Sequence, residues 1–182
     1  MKGKIKRWLW LFRATYAAKK RPAMMRKIID RYFTLHHWAY WMDNEQLIFH
    51  ASIPMQGLQD ALIVRLLIEE PTSLVRISIE VDRTLTESQG EEALNLTAHF
   101  NQIIHFGCLR RNIETNRLHF TAQFGIMDSL VHEENFHMML NRQLNKCYDL
   151  AWCMEEVFDR GEDPAVAIGE LLRKQNQPED NA

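Results

Sequence analysis

Residues 61–82, ALIVRLLIEEPTSLVRISIEVD, decide the fold class. Val75, Ile77, Ile79 and Val81 alternate with Arg76, Ser78, Glu80 and Asp82, the two-residue period of a strand with one face buried and the other in water. Upstream of Pro71, Leu62, Val64, Leu66 and Ile68 share a face in the same way. Two half-buried strands in succession, joined by a short break containing proline, point to an antiparallel sheet.

Working outward, the segment WAYWMD (38–43), the turn-like Asp43-Asn44 and LIFHASI (47–53) read as a hairpin, with Leu47, Phe49, Ala51 and Ile53 on one face. On the other side, Ser88 and Glu91 have capping-box spacing. Ala93, Leu94, Leu96, Ala98, Phe100, Ile103 and Ile104 then make a helix that is apolar over a wide arc and suited to lie on the sheet. Gly107 closes it. Cys108 to Ile113 and the alternating Leu118, Phe120, Ala122 and Phe124 form a second hairpin. A long helix is expected from Asp128 or Ser129 to Phe158, with Glu133 and Glu134 near its start, where the helix dipole favours acids. Its core stripe is Phe136, Met139, Leu140, Leu144, Cys147, Ala151, Met154 and Phe158. Asp163 and Pro164 suit the N-cap and first turn of a short helix, AVAIGELLRK, and QNQPEDNA is expected to be disordered.

Ahead of the sheet, Met24, Met25, Ile28, Ile29, Tyr32 and Phe33 give a helix from Pro22 to about Leu35. Ile5, Trp8, Leu9, Phe12 and Tyr16 place another, basic and amphipathic, before it. The chain is therefore expected to be α+β: an antiparallel sheet with packed helices in the order helix, three to four strands, helix, two strands, long helix. Three regions follow: a basic amphipathic helical arm over 1–21, one α+β domain over 22–160, and a short helix and tail over 161–182.

The arm is electrically unlike the rest. Ten of the 22 bases and none of the 24 acids fall before Ile28. The candidate surface-binding residues are Lys4, Lys6, Arg7, Trp8, Trp10, Phe12, Arg13, Lys19, Lys20 and Arg21. Such a segment suits an anionic membrane surface, where basic side chains meet headgroups and indoles sit at the interface. It also suits nucleic acid, through phosphates and stacking, or docking on the acidic body of the same protein, or a dedicated groove on a partner.

At 182 residues with 46% hydrophobic content, five Trp and nine Phe, the chain is long and apolar enough for a real core. Cys108, Cys147 and Cys153 match no zinc or redox spacing and read as reduced core thiols, which places the protein in the cytoplasm. The apolar run from Trp8 to Phe12 stops at Arg13, too soon for a signal peptide. No stretch approaches the ~18 apolar residues of a membrane span. Any membrane contact is then peripheral.

The element order, with FNQIIHFGCLRRNIETNRLHFTAQF (100–124) and the Glu-rich apolar helix behind it, resembles the YbjN-like family of small bacterial proteins, which share the fold of type III secretion chaperones. The matching positions are Asn101, Phe106-Gly107, the strand carrying Leu118 and Phe120, and Glu134 with the apolar run behind it, over roughly residues 23–158. Where the family's second hairpin often turns on an Asp-Gly type sequence, this chain has Glu114-Thr115-Asn116. The basic arm is not part of the family pattern. The resemblance implies a non-enzymatic, dimeric module whose relatives hold extended segments of other proteins, and it carries over no catalytic residue.

The residues themselves offer little chemistry. Glu133 and His137 of HEENFH lie four apart with His132 beside them, but the chain lacks HExxH, and no third ligand is specified. His36-His37, His99 and His105 stand outside any ligand spacing. There is no G-x-S-x-G elbow, no glycine-rich phosphate loop, and no basic signature beside a cysteine other than Arg110 and Arg111 near Cys108. No catalytic, cofactor or metal residue is assigned. The expectation is a non-catalytic module that binds a protein partner, chaperone-like or regulatory. The alternative is a peripheral membrane or nucleic-acid adaptor working through the arm.

Overall fold

The two alternating stretches become the central pair of a six-stranded, wholly antiparallel sheet. A computed structural model describes residues 20–43, 45, 47–55, 60–70, 72–126 and 133–176. The strands are β1 (Tyr40–Asp43), β2 (Ile48–Pro54), β3 (Ala61–Glu69), β4 (Leu74–Val81), β5 (Cys108–Asn112) and β6 (Arg117–Gly125), side by side in the order β1-β2-β3-β4-β6-β5. Helix α1 (residues 20–35) precedes them, α2 (Gly90–Ile103) joins β4 to β5, and α3 (Glu133–Phe158) and α4 (Pro164–Asn176) follow β6. The fold is α+β, with four strands before α2.

Register places the apolar positions in continuous rows. Leu66, Ile77 and Ala122 are direct neighbours across β3, β4 and β6, and so are Val64, Ile79 and Phe120. These six residues are at most 7% exposed and form one core with the helices. Phe33 of α1 meets Phe49 of β2 at 6.1 Å between ring centroids. Helix α2 lies along β5, α3 crosses β4, and α4 packs on α2 and α3, burying Pro164, Ala167, Ile168 and Leu171. Asp163 caps α4 as expected: its Oδ1 accepts the Ala165 and Val166 amides at 2.8 and 3.3 Å.

Several expectations need correction. The start of α2 is preceded by a 3-10 turn at Glu87–Gln89, and the capping box belongs to that turn: Gln89 Oε1 accepts the Thr86 amide at 2.9 Å, while α2 begins at Gly90 without a side-chain cap. Strand β5 stops at Asn112, and Ile113 is 91% exposed in the turn. That turn needs no Asp-Gly, because Asn112 Oδ1 accepts the amides of Glu114 and Thr115, while Asn116 takes the left-handed conformation at φ 55°. Helix α4 takes in Gln175 and Asn176, expected in the disordered tail, since Gln175 is tied across to Asp149 on α3. The proposed start of α3 at Asp128 or Ser129 lies outside the described residues, as do residues 177–182. Of the arm residues, Lys4, Lys6, Arg7, Trp8, Trp10, Phe12, Arg13 and Lys19 lie outside them too, whereas Lys20 and Arg21 stand in α1. Among the described residues no helix is long and apolar enough to cross a membrane.

The opposite face of the sheet holds a further surprise. Alternation puts Glu80 in water, yet it is 2% exposed, held by Arg65 Nη1 at 3.2 Å between neighbours Ile63 and His119 on the flanking strands. Glu80 Oε2 and His119 Nδ1 are buried without a hydrogen-bond partner among the described residues. Burial holds the His119 imidazole below the ordinary histidine range, against the pull of the Glu80 carboxylate. His50 and His36 are lowered as well, both chiefly by burial. In each case the unfolded chain binds the proton first as pH falls, so stability is expected to drop below the ordinary imidazole value of about 6.5 and to level off once the folded imidazoles are charged. Urea midpoints measured between pH 7 and 5 check this. The slope should flatten in His119→Gln, and a native protein whose midpoint rises on acidification would contradict it.

Candidate functional site

The joint between α2 and β5 borders a hollow on the surface. Asn101, in the last turn of α2, uses its side-chain amide as a substitute for backbone: Nδ2 donates to the Leu109 carbonyl at 3.0 Å and Oδ1 accepts the Leu109 amide at 2.8 Å. The chain must then reverse tightly onto β6. Gly107 makes this possible at φ 87°, where a Cβ would stand 2.3 Å from Phe120 Cζ and 2.6 Å from the Thr121 carbonyl oxygen. The reversal turns Phe106 outward. It stays 46% exposed and stacks on Phe124 at 4.9 Å with the rings 16° from parallel.

Facing this joint is the outer side of α3. A chamber of about 680 Å³ runs between Ile104–Phe106 and Arg142, Lys146, Tyr148 and Asp149, with Gln175 of α4 also lining it. A second, of about 400 Å³, lies between the Phe106–Phe124 stack and Met138 and Met139, and the two share Phe106, Arg142 and Gln143 as walls. Together they make one groove along α3. Met138 is 51% exposed, an unbranched and adaptable apolar surface beside an aromatic one.

The polar side of the groove is cationic. Lys146 Nζ pairs with Asp149 Oδ2 at 2.9 Å, and the same oxygen accepts Gln175 Nε2 at 2.8 Å, so Asp149 is neutralised within the wall. Arg142 and His105 are exposed. One turn beyond, Lys174 Nζ sits 3.9 Å from the Trp152 ring centroid. Burial raises the Tyr148 phenol above its ordinary range, which keeps it neutral at physiological pH. The arrangement suits recognition: an apolar anchor against Phe106 and Met138, and a negative charge toward Arg142.

Other candidate residues are occupied structurally. Glu133 pairs with Arg31 at 3.1 Å and stands 3.7 Å from His137 Nε2, on one helix face as the spacing predicts. The His137 ring lies against Tyr32 at 4.5 Å, while His132 falls outside the described residues. Among the described residues no group of three or more His, Cys, Asp or Glu is placed to hold a metal. Cys147 and Cys153 are buried, and burial raises both thiols, Cys153 to about 12, which suppresses the nucleophilic thiolate. Cys108 Sγ lies 3.3 Å from the Thr121 hydroxyl.

Sequence reading missed the groove because its walls come from three separated segments. Phe106-Gly107 stood out only as a helix-to-strand joint. The available signals were a phenylalanine just before a glycine that must take positive φ, and Met138, Arg142 and Lys146 falling at helical spacing off the core stripe. Comparison with protein-family profiles, curated proteins and solved structures found no match to this chain.

Proposed function

We propose that the protein is a non-catalytic protein-binding module, chaperone-like or regulatory, that holds a short acidic segment with an apolar anchor in the groove along α3. The observation that carries this reading is the continuity of half-exposed Phe106 and Met138 with the exposed Arg142 in one hollow. Burying an aliphatic or aromatic anchor there contributes about 1.5–3 kcal/mol. A solvent-exposed charge pair contributes at most about 1 kcal/mol. Affinity therefore comes from the anchor, and the cationic rim sets orientation and rejects basic segments. The resemblance to YbjN-like proteins implies the same kind of work, a dimeric module holding extended segments of other proteins.

A second reading, a peripheral membrane or nucleic-acid adaptor, is favoured by one observation: the ten bases and no acids before Ile28. The arm and the groove are then separate sites, since the exposed Arg142 repels a basic segment.

Panning a peptide-display library on the full chain tests the groove. Enriched peptides should carry Asp or Glu within a few residues of Phe, Leu or Met, and should be lost on Phe106→Ser and on Arg142→Glu. Enrichment of basic peptides, or equal binding to the native protein and Phe106→Ser, would sink the proposal.

A further inference from the structure

Helix α4 ends beside the groove just described. Gln175 lines it and is tied to Asp149, and Asn176 Nδ2 donates to the Leu172 carbonyl at 2.9 Å in the last turn. The next residues are Gln177, Pro178, Glu179 and Asp180. Proline lacks the amide that a helix needs and biases the residue before it toward extended backbone. Four extended residues beyond Asn176 reach about 13 Å. On α3, Arg142 lies seven residues, or about 10.5 Å, from the Asp149 that anchors Gln175. The two acids are thus within reach of the groove's exposed guanidinium.

Charge selects this segment over residues 1–19. Lys146 is already neutralised by Asp149, which leaves Arg142, with Arg173 and Lys174 in the last turn of α4, as the cations nearest the exit. A tail carrying Glu179 and Asp180 is complementary to them. The basic arm, with eight bases and no acid over residues 1–21, is repelled.

We propose that residues 177–180 occupy the groove in cis, with Glu179 and Asp180 toward Arg142, and that they compete with a partner's acidic segment for the same site. This rests on the reading of the groove as a protein-binding site. A tethered segment acts at an effective concentration on the order of mM, so even weak docking lowers the apparent affinity of a partner several-fold.

The test uses the full chain labelled with ¹³C at Ile and Met methyls, comparing the native protein with the double variant Glu179→Lys, Asp180→Lys. At low salt the Ile104 and Met139 methyl signals should differ between the two, while Ile79 in the core stays unmoved. Raising salt to about 0.5 M should carry the native signals toward the variant's positions, because exposed charges are then screened. A synthetic peptide copying residues 175–182 should move the variant's signals back. It should need several-fold more peptide on the native protein and fail when Arg142→Glu is added to the variant. Coincident Ile104 and Met139 signals in native and variant, or equal peptide affinity for both, would overturn the proposal. If an acidic peptide selected by display binds native and variant equally, the tail is not the occupant and the groove remains a partner site. If no acidic peptide binds either protein, the partner reading falls as well.

Discussion

An Ile77→Asp variant is expected to lose about 4 kcal/mol or more, a large part of the stability of a domain of this size. Ile77 is 1% exposed at the centre of β4, flanked by Leu66 on β3 and Ala122 on β6. A carboxylate there meets only apolar neighbours on that face and no cation. One residue on, Ser78 faces the other side between Arg65 and Thr121, where a new carboxylate is half-solvated beside a guanidinium. Ser78→Asp is accordingly expected to stay within about 0.5 kcal/mol of the native protein. Urea midpoints followed by circular dichroism separate the two cases. Equal losses would mean that the strand register is shifted by one residue, which would exchange the faces of the whole sheet.

The second large effect is expected at Arg65. Its guanidinium is the cation bonded to Glu80, whose side chain is 2% exposed while that of Arg65 is 41% exposed. Removing the partner of a buried charge costs about 3–5 kcal/mol; with the arginine side chain partly solvated, a loss of about 2–3 kcal/mol is expected for Arg65→Met. The double variant Arg65→Met, Glu80→Leu should recover most of that loss, because the buried charge is gone along with its partner. A double-mutant cycle measures the coupling directly. If Arg65→Met left the midpoint unchanged, Glu80 would have to draw its compensation from elsewhere.

Glu80 also shows where local pattern stops short. Alternation from Val75 to Asp82 assigns each side chain to a face, and every core position in that run is as alternation places it. It cannot say how deep a side chain sits on the open face. That depends on which residues stand on neighbouring strands, here Ile63 and His119, and register across strands is a long-range property. The cap of α2 failed for a related reason: Ser88 and Glu91 have the right spacing, but Ser88 lies inside a 3-10 turn whose own capping box joins Thr86 and Gln89, and α2 begins only at Gly90. Gln175 and Asn176 joined α4 because a side chain 26 residues away holds the last turn.

The groove follows the same division. Its residues are in plain view in the sequence, yet His105-Phe106, Met138 to Asp149 and Gln175 are brought together only by the chain reversal at Gly107 and the seating of α4 on α3. By itself the sequence determined the α+β class, the element order, the buried faces of the strands and the segregation of positive charge into the first 27 residues. These depend on periodicity and composition, which act within a few residues. Tertiary structure alone decided the strand order, the burial of Glu80 and the meeting of Phe106, Met138 and Arg142 in one hollow. Each of these depends on contacts between distant segments, which no local period encodes.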